Sequence, residues 1–253
     1  MPMTRPIASY VCAGLLLLPS IASAGCPATE TLQKAVQTVF KQQEITVEKV
    51  APSEIPGLCD VQIRHKGQRR IIYSDQNGSY LMAGQAFRVS DGENLTQAKI
   101  AELNRFTPAD MERLSGLTAF TIGNTGPEVY FVTDPQCPYC QKAEAVLVPM
   151  AERGEITLRV LLYPLSFHRG AKEESISIIC DKKGMDGLRT RYRSENQCEE
   201  GKRKVEETVK FLSERGIAGT PSYIFPDGLP HSGVLDEAAI KGRITGRKGD
   251  AAR

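Results

Sequence analysis

The sequence predicts an α+β protein of two units joined by helix, and three observations carry that prediction. A β-rich run, Phe131-Val132-Thr133, breaks through Asp134-Pro135-Gln136 into Cys137-Pro138-Tyr139-Cys140, after which Ala143, Val146, Leu147 and Met150 recur at helical spacing. Short extended runs separated by turn residues fill 45–83, with Asn77-Gly78 lying between Ile71-Ile72-Tyr73 and Tyr80-Leu81-Met82. Farther along, apolar runs at 155–163 and 222–225 flank a long charged stretch, 170–215, with helical patterning.

The N-terminus is expected to be a leader. Arg5 precedes an apolar run over 7–18, then Pro19, then Ala22-Ser23-Ala24 before Gly25, the pattern of a secretory signal peptide cleaved near Ala24. The run is short for a membrane span, and Ser23 stands where a lipoprotein signal usually has leucine. Formal net charge is +2, and Arg5 is the only charged residue before Gly25, so a chain beginning at Gly25 carries +1. No basic stripe with interleaved aromatics points to nucleic acid. With 253 residues there is room for one large core or two small ones.

Export sets the reading of the cysteines. Of the seven, Cys12 would leave with the leader, and Cys26, Cys59, Cys137, Cys140, Cys180 and Cys198 would remain. An even set in an oxidising compartment suggests disulfides, with fifteen pairings on paper. Proximity along the chain favours Cys26 with Cys59, Cys137 with Cys140, and Cys180 with Cys198. A buried free thiol at Cys59 is the competing reading.

Taken in order, Thr31 is expected to cap a helix carrying Leu32, Val36 and Val39/Phe40 on one side. Extended runs at 45–50, 58–65, 70–74 and 80–83 follow, punctuated by Pro52, Pro56-Gly57, Lys66-Gly67 and Asn77-Gly78. So small a unit is marginal alone, and a Cys26–Cys59 bond or a second chain would supply what its core lacks. From Asn94 to Leu114 the pattern is helical and polar, with Ile100, Leu103 and Phe106 in phase. Thr107-Pro108-Ala109-Asp110 reads as a second helix start, with Thr107 as cap and Asp110 closing a capping box. This is a connecting helix with a break near Phe106.

The Cys-x-x-Cys is the chemical centre. A strand over 129–133 leading straight into it places Cys137 at the first turn of a helix, where free amide N–H groups and the positive end of the dipole favour thiolate over thiol. The thiolate attacks disulfides, and Cys140 is positioned to close the ring and release the adduct. Pro138 fits the first turn, where its missing N–H costs nothing. Half of a zinc site would need a second cysteine pair or a His-x-x-x-His partner, and His65, His168 and His231 supply none. A structural bond across so short a loop would be strained.

Beyond it, 155–163 reads as a second central strand. Ile176, Ile179 and Cys180 lie on one helical face of the following stretch, and Val205, Val209 and Leu212 on another, so that a Cys180–Cys198 bond would staple a helical insertion. Gly219-Thr220-Pro221 leads into the strand over 222–225 and a Pro-Asp-Gly turn. The residues alone leave the Thr220–Pro221 bond trans by default, and a cis bond also fits there. A last helix is expected over 236–243, acidic early and basic late.

Cys137-Pro138-Tyr139-Cys140 after one strand and Gly219-Thr220-Pro221 before another, with helix between, resemble the thioredoxin superfamily, and more closely the DsbC/DsbG family of disulfide isomerases. Ile55-Pro56-Gly57-Leu58 and Ile71-Ile72-Tyr73-Ser74-Asp75 extend the resemblance to the N-terminal part. It implies a signal peptide over 1–24, a small α+β dimerisation domain over 25–92, a linker helix over 93–116, and a thioredoxin-like domain with a helical insertion over 117–253. It further implies a V-shaped homodimer in the periplasm, with Cys137 attacking, Cys140 resolving, and Thr220-Pro221 as a cis-proline loop beside the sulfurs. Pro138, Tyr139, Thr220 and Pro221 would meet substrate, Cys180–Cys198 would be structural, and no metal or cofactor would be needed.

Three departures stand out. Pro138-Tyr139 is a pairing also seen in DsbG-like and glutaredoxin-like proteins, where many DsbC members have Gly-Tyr. Phe131 occupies the position of thioredoxin's buried aspartate, which points away from a cytosolic-type reductant. Cys26 and Cys59 are not general family features. The expected partners are misfolded exported proteins and a membrane thiol reductase of the DsbD kind. The rival functions are reduction of sulfenylated cysteines through the same Cys137 and a cleft-based holdase that needs neither cysteine.

Overall fold

The structure is a computed structural model that describes residues 25–246, so the expected leader lies outside the described residues. Helix α1 (Thr29–Phe40) turns Leu32 and Val36 into the face of an antiparallel sheet. Thr31 is not its cap. The helix begins two residues earlier, after an extended Ala28 with no side-chain cap, because the 28–32 carbonyl–amide bond already closes the first turn.

The sheet runs in the order β1 (Thr46–Pro52), β2 (Leu58–His65), β3 (Gln68–Asp75), β4 (Leu81–Met82). Val47, Val61, Ile63 and Ile72 meet the helix to form a small core. The tight hairpin is at Lys66-Gly67, both at positive φ (49° and 77°), the pair of left-handed residues that a two-residue hairpin turn needs. Asn77-Gly78 sits instead in the longer loop 76–80, where the Asp75 carboxylate accepts from the Tyr80 N–H at 2.8 Å. That side-chain tether opens the turn while keeping Tyr73 opposite Met82.

Cys26 and Cys59 are bonded, tying the segment ahead of α1 to β2 across a separation of 33 residues. A loop of that length confines the unfolded chain enough to contribute about 3–4 kcal/mol. Cys26→Ala/Cys59→Ala is therefore expected to lower stability by about that amount, read as a shift in the urea midpoint by circular dichroism. An unchanged midpoint would remove the staple's role.

Two helices connect the sheets. Asn94 caps α2 (Leu95–Leu103) by accepting from the Gln97 N–H at 3.0 Å. The chain then breaks, and Thr107 and Asp110 form a reciprocal capping box at the start of α3 (Pro108–Leu117). Phe106 in the break is buried edge-on against Phe211, and its N–H donates to the Gly228 carbonyl at 2.8 Å. The connector is thus pinned to the second sheet at its kink.

That second sheet has the order β5 (Phe120–Ile122), β7 (Thr157–Leu162), β6 (Glu128–Thr133), β8 (Ser222–Ile224), β9 (Pro230–Ser232). Strand β6 is parallel to β7 and antiparallel to β8. Its side chains alternate between two buried layers. Val129 and Phe131 face α4 (Pro138–Glu152) and α8 (Glu237–Ile244), whereas Tyr130 and Val132 face α3 and α7 (Glu199–Glu214). Two-sided burial is why β6 reads as an unbroken apolar run. The helical stretch after β7 contains α5 (Ala171–Cys180), α6 (Gly184–Thr190) and α7, and a Cys180–Cys198 disulfide joins the end of α5 to the residue capping α7. Strands β5 and β9 have no counterpart in the sequence reading: each spans three residues, too few to show a period.

Candidate active site

Strand β6 ends where its neighbours converge. Thr133 is fully buried, and Asp134, 1% exposed, closes the turn that follows. One of its carboxylate oxygens accepts from the Gln136 N–H at 2.6 Å, and the other accepts from the Leu165 N–H beyond β7 at 2.7 Å. The turn is completed by the Cys137 N–H donating to the Asp134 carbonyl at 3.1 Å. The chain enters α4 already tied to both central strands.

Cys137 is the N-cap of α4, in extended conformation, with Pro138 in the first turn. Its sulfur accepts from the Cys140 N–H at 3.4 Å, as a capping oxygen would. The thiol also donates to the Thr220 carbonyl at 3.5 Å. Tyr139 points outward, 59% exposed, with the Lys142 ammonium 5.4 Å from its ring centre.

Cys140 lies behind it, fully buried. Burial pushes its thiol up to about 12, while the hydroxyls of Thr133 and Thr220 oppose that rise without offsetting it. The two sulfurs are both thiols, so the Cys137–Cys140 bond expected from proximity is open in this state. A bond across one helical turn is made and broken by exchange, unlike the two bonds that tie separate elements together.

Thr220 and Pro221 reach this point because Ser222, the first residue of β8, pairs with Val132 of β6. The peptide between Thr220 and Pro221 is cis. Ser222 fixes the loop by donating to the Gly219 carbonyl at 2.8 Å and meeting the Ser232 hydroxyl at 2.9 Å. The structure thereby brings Cys137, Pro138, Tyr139, Cys140, Thr220 and Pro221 to one end of the sheet. Cys26, Cys59, Cys180 and Cys198 are engaged in bonds on other elements.

Several residues at the site carried no assigned part in the sequence reading. Gln136 donates to the Arg169 carbonyl at 2.8 Å and to Glu174 at 2.9 Å, holding the 165–170 loop against the cysteine turn. His168 Nδ1 is 2.9 Å from the Asp134 carboxylate. Glu144, 5% exposed and one helical turn past Cys140, is pushed up to about 7 by burial, with Arg189 opposing. Only Asp134 had a usable signal, an Asp-Pro directly after a strand. Phe131 is wholly buried and lies 5.9 Å from Tyr223, ring centre to ring centre. Among the described residues, no group of histidine, cysteine, aspartate and glutamate is arranged to hold a metal, and no helix is long and apolar enough to cross a membrane.

Residues 23–97 match the disulfide bond isomerase protein N-terminal domain, and residues 121–244 match the thioredoxin-like domain. This chain belongs to the DsbC/DsbG family of the thioredoxin superfamily. As a DsbC/DsbG-family protein it is a thiol–disulfide oxidoreductase, and its α+β architecture is a thioredoxin-like domain preceded by the family's N-terminal domain. A relative from Bordetella avium (strain 197N), "Probable thiol:disulfide interchange protein DsbC", is 24% identical over 223 residues, which is 87% of this chain and 76% of the relative. Among solved structures, a disulfide interchange protein from Neisseria gonorrhoeae is 24% identical, covering 50% of this chain and 91% of that one with a TM-score of 0.42. DsbG of Helicobacter pylori is 17% identical, covering 78% and 99%, with a TM-score of 0.36.

Proposed function

We propose that this oxidoreductase isomerises or reduces non-native disulfides in exported proteins through Cys137 and Cys140, working in the periplasm. The observation that carries the reading is the asymmetry of the two sulfurs. Cys137 caps a helix and receives an N–H bond, whereas Cys140 is buried behind it and held as a thiol. One sulfur is suited to attack and the other to wait.

In the proposed reaction the Cys137 thiolate attacks one sulfur of a substrate disulfide, and the other substrate sulfur leaves as a thiolate. If a substrate thiolate then attacks the mixed bond, Cys137 departs as a thiolate and the substrate has exchanged partners with no net electron transfer. If Cys140 loses its proton and attacks Cys137 instead, the substrate leaves as a thiol and the enzyme becomes the disulfide. Two electrons must then be returned, in this reading by a membrane thiol reductase of the DsbD kind. The burial of Cys140 favours the first branch, because deprotonating it is costly. Substrate backbone would lie along Thr220-Pro221, with Pro138 and the outward Tyr139 beside it.

A homodimer formed through the N-terminal sheet is part of the proposal. Short edge strand β4 and the residues on either side of it leave Tyr80, Met82, Phe87 and Val89 exposed, large apolar side chains of the kind that marks an interface. Val89→Glu, at a residue 98% exposed, is expected to shift the sedimenting species from dimer to monomer without loss of secondary structure. A species that sediments the same with and without the change would remove this interface.

The redox reading is tested by refolding a scrambled multi-disulfide substrate alongside a single-cysteine sulfenylated substrate. Turnover of the first by the parent chain is the expected result. Activity confined to the sulfenate would assign the chain to the rival reductase class, and protection of clients by a variant lacking both cysteines would leave only a holdase.

A further inference from the structure

We propose that a cavity of about 250 Å³ between the N-terminal sheet and the redox unit binds a small multivalent oxyanion, a compound carrying two or more carboxylate or phosphoryl groups. It is a site separate from the sulfurs. Its walls come from the start of β3, one face of α2, the turn that follows α7, and edge strand β9. Arg69, Arg70 and Arg215 line it together with His231 and Gln97, and among the described residues none of those lining it is acidic.

The three guanidinium groups are unequally occupied. Arg69 gives its Nε to Glu48 at 2.7 Å, and one terminal nitrogen of Arg215 serves the Arg105 carbonyl at 2.6 Å and Asp110 at 3.2 Å. Arg69 also gives one terminal nitrogen to the Leu103 carbonyl at 3.4 Å, so that each fork keeps one terminal nitrogen without a partner among the described residues. The Nε of Arg215 is buried and has no hydrogen-bond partner. Leaving such a donor unsatisfied typically costs about 1–3 kcal/mol, which an oxyanion in the cavity would recover. Arg70 is exposed, makes no ion pair among the described residues, and reaches only the Gln68 side chain, at 2.6 Å. Gln68 in turn donates to the Gly216 carbonyl at 3.0 Å, so Arg70 is aligned toward the Arg215 turn across the junction.

The local field agrees with this geometry. Burial and the neighbouring Arg69 and Arg64 all weigh against the charge on Arg215, and Asp110 alone opposes them. Burial, and then Arg243, hold the His231 imidazole below its ordinary value, so at neutral pH it can serve as a neutral hydrogen-bond partner. Planar forks converging on a cavity match carboxylate and phosphoryl oxygens, which accept two parallel N–H bonds. Several cations gathered without counter-ions in their own wall favour a ligand with more than one negative charge. Such a ligand would touch both the N-terminal sheet and the turn that leads to Thr220, and so would stiffen the junction between them.

The test is calorimetric titration of the purified full-length chain with inorganic diphosphate and, separately, with citrate, each at matched ionic strength in chloride. One saturable site is expected, weakened about tenfold by Arg70→Ala and further by Arg70→Glu. Circular dichroism and thermal unfolding without ligand should be unchanged in both variants, because Arg70 is exposed and has no acidic partner. Tighter binding of diphosphate would assign the site to phosphoryl ligands, and tighter binding of citrate to carboxylates. Hydrogen exchange over 215–217 should slow when the bound probe is present. Absence of a saturable site for both probes, or affinity that Arg70→Ala and Arg70→Glu leave unaltered, overturns the proposal.

Discussion

Cys137→Ala is expected to lose at least about three orders of magnitude in the refolding of a scrambled substrate, while Cys140→Ala keeps a measurable part of it. The difference follows from where the two sulfurs sit. Cys137 caps α4 and touches the Thr220 carbonyl, and every proposed route begins with its attack. Cys140 is needed only when a mixed disulfide must be released reductively. Without it, isomerisation can proceed by attack of the substrate's own thiols, but adducts that find no second thiol should accumulate. Mass spectrometry of Cys140→Ala quenched during turnover should therefore find substrate bound to Cys137. Alkylation of the parent chain should modify Cys137 well before Cys140, whose thiol is held near 12 by burial. Equal activity of Cys137→Ala and parent would falsify the assignment of the nucleophile. Faster labelling of Cys140 would reverse the two roles.

Glu144→Gln is expected to stabilise the protein at pH 8 by about 2–3 kcal/mol and to leave it nearly unchanged at pH 4.5. The Glu144 carboxyl ionises near 7 in the folded chain because burial penalises its charge, against an ordinary value of 4.5. Between those values the folded state keeps a proton that the unfolded state has released, so folding becomes less favourable as pH rises through the window. Above it the full penalty is present, and below it none. The side chain is only 5% exposed, so solvent screening does little to soften the effect. Glutamine keeps the shape and cannot ionise. Urea midpoints of both proteins at pH 4.5, 6 and 8 isolate this one group, because all other titrations cancel in the difference. Parallel curves for parent and Glu144→Gln would mean that Glu144 is ionised in the fold without penalty.

Much of the architecture was readable because its signals are local. Helix α3 begins where Thr107, Pro108 and Asp110 say it should, since a capping box involves only neighbours along the chain. The strand–turn–helix around Cys137 was legible for the same reason: two-sided burial leaves an apolar run in β6, and a proline at the first helical turn marks the start of α4. Local signals also misled. Thr31 looked like a cap, yet α1 starts at Thr29 through a backbone bond that needs no side chain. Asn77-Gly78 does mark the antiparallel β3–β4 hairpin, but the Asp75 carboxylate holds its loop wider, and the two-residue turn belongs to Lys66-Gly67.

By itself, then, the order of residues determined which sulfur would stand at the start of a helix and which segments would be helix or strand, because capping, turn chemistry and hydrophobic period act over a few positions. The tertiary structure alone decided what surrounds that sulfur. Thr220 stands 83 residues from Cys137 and meets it only because β8 pairs with β6. The deep burial that holds Cys140 as a thiol and raises Glu144 is desolvation by elements scattered along the chain. The arginines of the junction cavity come from β3 and from the end of α7, and no local pattern announces their meeting. Charge and dielectric depend on distance in space, and distance in space is set only when the sheets and helices pack.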